Sequence, residues 1–111
     1  LSTRTVIFAP EAQAQLLKLY RHIADVASPE IASRYTAAII AACDDLQTFP
    51  IRGVPRDDIQ PGLRVTNYRK NTAIAFSVSE NVVSIVGIFY GGQNYESALQ
   101  SKADFPDKTS L

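Results

Sequence analysis

A chain of 111 residues with 46% hydrophobic side chains has enough apolar material for one core and too little length for two, so a single domain spanning residues 1–111 is predicted. Eleven Lys plus Arg balance eleven Asp plus Glu, which excludes a global positive field drawing the protein onto nucleic acid; any such role needs a local patch. A single cysteine, Cys43, excludes an intramolecular disulfide and a self-sufficient structural zinc site, the longest apolar runs (residues 37–43 and 82–90) are too short to span a bilayer, and no secretory signal precedes them, so a cytoplasmic protein without a membrane association is expected.

Thr5-Val6-Ile7-Phe8 is a short β-branched and aromatic run stopped by Ala9-Pro10, and reads as a strand followed by a helix, because Pro suits the first helical turn. In that helix Ala12, Leu16, Leu19, Tyr20 and Ile23 recur at three- and four-residue intervals and share one face, opposite Gln15, Lys18 and Arg21. Ser28-Pro29-Glu30 supplies an N-cap, a first-turn Pro and a negative charge near the positive end of the dipole, so a second helix starts there. Its predicted seam is Tyr35, Ile39, Ala42, Leu46 and Phe49, and Pro50 ends it. The link around Ala27 is short enough to make the two helices an antiparallel hairpin, and Ala32, Ala37, Ala38, Ala41 and Ala42 favour close contact between them.

Residues 51–61, with Gly53, Pro55 and Pro61 among charges, read as an ordered surface loop. Residues 63–68, 73–78 and 82–90 then read as a three-stranded antiparallel meander turning at Arg69-Lys70-Asn71 and Ser79-Glu80-Asn81. In the second of these strands Ile74, Phe76 and Val78 alternate with Ala75 and Ser77, which predicts one buried face and a shallow outer one. The last strand places Val83, Ile85 and Phe89 on one side and Val82, Val86, Ile88 and Tyr90 on the other, so it is central and meets apolar partners on both faces. One face takes the helical hairpin; the other is closed by curling of the sheet or by a separate chain. The polar stretch after about residue 100, with Pro106, is expected to be a poorly ordered tail.

Few residues suggest covalent chemistry. His22 lies beside Tyr20 and Ile23 with no adjacent Ser, Cys or Asp, and reads as a surface or boundary histidine. Cys43 reads as a small buried hydrophobe, since nothing near it in sequence would lower its pKa. Asp44-Asp45 and Asp57-Asp58 lack the spacing of a metal site and read as solvated acids or partners for Arg52 and Arg56. Gly91-Gly92 reads as a turn that frees the last strand from the sheet. Arg64 lies within a strand, where a guanidinium is costly to bury alone; it is either a site residue or the partner of an acid such as Glu80, Asp57 or Asp58.

The order Phe49-Pro50, Gly53, Arg56-Asp57, Pro61-Gly62-Leu63-Arg64 and Tyr68, then three apolar strands ending at Tyr90-Gly91-Gly92, resembles the ParE branch of the ParE/RelE superfamily of bacterial toxins. The resemblance runs from Pro10 to about Leu99 and includes Tyr20, Ser28-Pro29, Ala32, Tyr35 and Leu46. It implies a βααβββ α+β fold with the hairpin packed on an antiparallel sheet that the first strand joins. Ribonuclease members of RelE type cleave messenger on the ribosome with a cluster of Arg, Lys, His and Tyr on the sheet and C-terminal segment, where cations stabilise the pentacoordinate phosphate. Here the segment is Tyr90-Gly91-Gly92-Gln93-Asn94-Tyr95: Tyr95 remains, Gly-Gly replaces the basic residues, and Arg64 matches the family's strand arginine without its companions.

The resemblance therefore implies a non-enzymatic toxin of a type II toxin–antitoxin system that acts in plasmid or chromosomal stabilisation by inhibiting DNA gyrase. A ParD-like antitoxin would silence it and would provide its only link to operator DNA. A ribosome-dependent endoribonuclease is the alternative, and a weakly toxic protein acting mainly in antitoxin binding and operon autoregulation is a third reading. No cofactor, metal or small-molecule substrate is implied. The antitoxin is expected to cover apolar surface of the hairpin and sheet drawn from Leu16, Leu19, Tyr20, Ile23, Val86, Ile88 and Tyr90, with its acids approaching Arg64 or Arg69; Arg64 and Tyr95 are the candidates for a role in toxicity.

Overall fold

The computed structural model describes residues 4–100. Strand β1 (Thr5–Phe8) leads into helices α1 (Pro10–Val26) and α2 (Pro29–Asp44), a single 3-10 turn (Asp45–Gln47), and strands β2 (Val54–Pro55), β3 (Leu63–Tyr68), β4 (Thr72–Val78) and β5 (Val82–Tyr90). The strands form one mixed sheet in the order β1-β5-β4-β3-β2. β1 runs parallel to β5, and every other pairing is antiparallel. The α+β architecture is the expected one, enlarged by β2. The tail expected after about residue 100 lies outside the described residues.

Local signals explain both helix starts. The Ala9 N-cap is extended and leaves Pro10 to open α1, with Glu11 in the first turn. Ser28 caps α2 by accepting a 3.1 Å hydrogen bond from the Ile31 N–H. The end of α2 differs from expectation. The winding tightens at Asp45, whose carbonyl accepts from both Thr48 and Phe49, and about three residues per turn instead of 3.6 rotates the next side chains off the seam. Leu46 still reaches the core, but Phe49 is 59% exposed.

The hairpin covers one face of the sheet through Ala12, Leu19, Ile23, Ala32, Ile39, Cys43 and Leu46, which meet Ile74, Phe76, Val83, Ile85 and Ile88. Each large side chain fully withdrawn from water there contributes about 1.5–3 kcal/mol. Tyr35 closes one end: its hydroxyl lies 2.8 Å from Thr72 Oγ1, and its ring sits edge-on to Tyr68 and Tyr90.

Strict alternation fails in β5. Ala75 of β4 pairs with Gly87 whereas Phe76 pairs with Ile85, so Val86 is an extra residue, and the bulge resets the phase of the strand. Val83, Ile85, Ile88 and Tyr90 therefore all belong to the hairpin side, and Val86 and Phe89 to the other. The expected grouping of Phe89 with Val83, and of Val86 with Ile88 and Tyr90, is corrected by that one inserted residue. Gly87 has no side chain where the Phe89 ring folds back, and a Cβ there would lie 2.5 Å from the ring.

The opposite face is closed by the chain itself. Ile59, Leu63, Val65, Ala75, Phe89 and Leu99 form a second buried cluster, flanked by Ala73, Val86 and Tyr95. Ala75 is completely buried, so the outer side of β4 is not a shallow surface. Leu99 arrives on a helical stretch over residues 95–100, which alternation and apolar content did not signal.

Part of the predicted loop at residues 51–61 is the edge strand β2, with Val54 opposite Val65 and Pro55 opposite Arg64. Pro is tolerated on an edge because its missing N–H leaves no ladder bond broken. Gly53 (φ 69°) and Gly62 (φ 80°) both occupy the left-handed region, but only Gly53 is crowded: a Cβ there would lie 2.1 Å from the Val65 carbonyl oxygen. Gly62→Ala is expected to cost about 1–2 kcal/mol from backbone conformation alone. Gly53→Ala should cost clearly more, because β2 must also move away from β3. Urea denaturation of the two variants checks the ranking, and equal losses would show that the close approach carries no energy.

Candidate functional site

An apolar groove of about 680 Å³ opens where β1 meets the hairpin, lined by Ile7, Phe8, Leu16, Leu17, Tyr20 and Ile40 together with Gln13 and Thr36. Its apolar side chains are accessible: Ile7 is 49%, Leu17 50% and Ile40 38% exposed. β1 is the outermost strand on this side of the sheet. Thr5 and Ala9 send their N–H groups inward to Asn81 and Ile85, so by the period of two Val6 and Phe8 present their backbone outward. The Phe8 carbonyl is already capped by Gln13 Nε2 at 2.9 Å, which leaves both polar groups of Val6 and the N–H of Phe8 on the open edge. An apolar groove beside an open strand edge is a surface shaped to receive a polypeptide.

The residues expected to meet a partner are distributed over several places. Leu16 and Tyr20 line the groove. Leu19, Ile88 and Tyr90 border a smaller hollow of about 330 Å³ with Gln15, Lys18, His22 and Gln93. Ile23 is buried in the hairpin core, and Val86 packs on the far face of the sheet. Arg69, at the β3–β4 turn with φ 56°, stacks on Tyr68 and donates to its hydroxyl at 3.2 Å; that bond holds its guanidinium pKa above the ordinary value. Arg64 donates to backbone, to the Arg52 carbonyl at 2.9 Å and the Gly53 carbonyl at 3.4 Å, which is neither the acid pairing nor the open site position offered as alternatives for it. Ile7, Leu17 and Ile40 escaped the sequence reading because they lie off the periodic seams, and only the position of β1 at the sheet edge groups them.

The second face centres on Arg56. Its guanidinium contacts Asp58 at 2.8 Å and Glu96 at 2.6 Å, donates to the Tyr95 hydroxyl at 3.2 Å, and lies 5.9 Å from the centre of that ring. These carboxylates push the Arg56 pKa up, the Asp58 bond contributing most, and Asp58 is in turn held below its usual range by Arg56. Asp57 instead accepts from the Gly62 N–H at 2.8 Å and shapes the turn before β3. Arg56 thus ties the loop after β2 to the helical stretch that carries Tyr95 and Leu99. Tyr95 also packs on Phe89, with ring centres 6.1 Å apart.

Among the described residues, no group of three or more His, Cys, Asp and Glu is placed to hold a metal ion, and no helix is long and apolar enough to cross a membrane. His22 is exposed, its ring 6.2 Å from that of Tyr90. Cys43 is fully buried, and desolvation, helped by Asp44, pushes its thiol from 9.0 up to about 12. A thiol with a raised folded-state pKa stabilises the fold below the unfolded value; that contribution is lost as pH rises from about 9 towards 12. The native protein should therefore resist iodoacetamide at pH 8 and react at once in denaturant. Mass spectrometry reads the outcome, and rapid labelling of the native protein would contradict the burial.

The same architecture occurs in solved toxin–antitoxin systems. The chain is similar to a structure of the chromosomal ParDE system from P. aeruginosa, with a TM-score of 0.70, 22% identity, and coverage of 80% of this chain and 97% of that one. It is also similar to a chain of the RelBE2 toxin–antitoxin complex from Mycobacterium tuberculosis, with a TM-score of 0.53, 20% identity, and coverage of 79% and 98%. At these identities the likeness is one of fold. Comparison with curated proteins gave no match. The family model for the ParE toxin of the type II toxin–antitoxin system parDE matches residues 6–95, and the chain belongs to that family.

Proposed function

We propose that this chain is a cytoplasmic toxin that inhibits DNA gyrase by binding rather than by catalysis, and that a ParD-like antitoxin neutralises it. The observation that carries the binding reading is what the sheet and C-terminal segment hold at Arg56. Metal-free RNA cleavage needs unpaired cations beside a general acid and base. Arg56 is instead engaged by two carboxylates and the Tyr95 hydroxyl, and Leu99 fills the adjoining face. Arg64 is directed to carbonyls of the neighbouring loop.

The groove beside β1 is the antitoxin site in this reading. An amphipathic helix would cover Leu16, Leu17, Tyr20 and Ile40, and an extended segment would pair with the outward backbone of Val6 and Phe8. Burial gives affinity at about 25 cal/mol per Å² of apolar area before the ordering cost of the antitoxin is subtracted. Contact with operator DNA runs through the antitoxin, and the activity requires no cofactor or small-molecule substrate.

Induced expression with and without the adjacent small open reading frame tests the proposal. Growth should stop only without it, and purified toxin should block gyrase supercoiling while leaving ribosome-bound messenger intact. Messenger cleavage with normal supercoiling would establish the endoribonuclease alternative; unimpaired growth would leave antitoxin binding and operon autoregulation as the role. Leu17→Glu, at a half-exposed position, should weaken antitoxin binding about thirtyfold or more by placing a charge in the groove. Unchanged affinity in calorimetry would move the antitoxin site elsewhere.

A further inference from the structure

In the segment that joins the 3-10 turn to β2, Phe49, Ile51 and Val54 are 59%, 74% and 60% exposed. Single exposed apolar side chains are ordinary, but three large ones within six residues of chain are not. The segment that carries them is firmly held. Phe49 donates its N–H to Asp45, Arg64 grips the Arg52 and Gly53 carbonyls, Gly53 packs against the backbone of β3, and Val54 pairs with Val65. A loop fixed at so many points displays its apolar side chains without a further ordering cost on binding.

Its charge is one-sided. Residues 48–56 contain Arg52 and Arg56 and no acid. Arg56 is matched by Asp58 and Glu96, whereas Arg52, lying 5.5 Å from the Phe49 ring centre, meets no carboxylate among the described residues. Arg52 is therefore the charge left for a partner, beside an apolar cluster. The surface runs from just past the 3-10 turn, whose Gln47 carbonyl accepts from the Arg4 N–H beside β1, to Val54 on β2, and none of its residues lines the groove beside β1.

We infer that Phe49, Ile51, Val54 and Arg52 form the face that grips the toxin's protein target, inserting into an apolar hollow on that target rimmed by carboxylates. The inference rests on the toxin reading above and adds a division of labour to it: the groove beside β1 receives the antitoxin, and the segment from Phe49 to Val54 the target. Arg64 acts as a positioning residue, because its two bonds set the loop that presents the cluster.

The test compares wild type with Ile51→Glu and Arg52→Glu, reading growth arrest on induction, gyrase supercoiling, affinity for the antitoxin, melting temperature and mass in solution. Ile51→Glu should melt like wild type and keep antitoxin affinity within about twofold, yet raise the concentration for half-inhibition about thirtyfold or more and abolish growth arrest. Arg52→Glu should lose more inhibition at low salt than at high salt, since an exposed attraction is screened. If wild type arrests growth without touching gyrase and Ile51→Glu abolishes the arrest, the surface stands and the gyrase reading falls. Full growth arrest by Ile51→Glu overturns the surface assignment. So does a loss of antitoxin affinity, or a wild-type dimer that Ile51→Glu converts to a monomer, each of which assigns the cluster to a different occupant.

Discussion

β5 buries both of its faces in a chain that has only one helical hairpin to offer as cover, and the remaining architecture answers that constraint. Val83, Ile85 and Ile88 are buried against the hairpin, and Phe89 against the opposite cluster. The bulge at Val86 makes this possible: without it, alternation would turn Ile88 away from the hairpin and Phe89 towards it. A second lid is then obligatory, because Phe89, Val65 and Leu63 would otherwise form a solvent-facing apolar sheet.

That lid comes from two segments distant in sequence. Ile59 enters from the loop after β2 and Leu99 from the chain beyond β5, and Arg56 joins them with paired carboxylates and a ring. Exposed ion pairs alone contribute little to stability. The Arg56 cluster is better understood as fixing the direction in which Leu99 enters, with apolar burial supplying the energy. The same cluster neutralises the arginine that lies against the Tyr95 ring.

Much of this was legible from residues alone. Pro10 and Ser28-Pro29 mark helix starts that the structure reproduces, and the seam from Ala12 to Ile23 is the observed core face. The two hairpin turns of the meander also stand where their polar residues put them. What escaped detection depends on tertiary geometry. A bulge adds one residue without any special residue type, so Val86 looked like a continuation of the alternating run. Phe49 kept a helical spacing that the 3-10 turn cancelled. Leu99 is one apolar residue in a polar stretch, and its burial follows from the fold of Gly91-Gly92 and the reach of Arg56 rather than from local pattern. Surface grooves are harder still to read, since Ile7, Leu17 and Ile40 become neighbours only once β1 takes the sheet edge.

The open flank of β1 has a consequence for the protein as a material. Four residues of parallel edge strand, with the amide of Phe8 and both polar groups of Val6 facing outward beside an exposed apolar trough, make a template on which another chain of any sequence with β propensity can add. Gln13 blunts only one position along it. The far edge is guarded by a proline, and this one is not. Whatever chain covers that flank therefore also removes the stretch of the fold most open to edge-to-edge pairing.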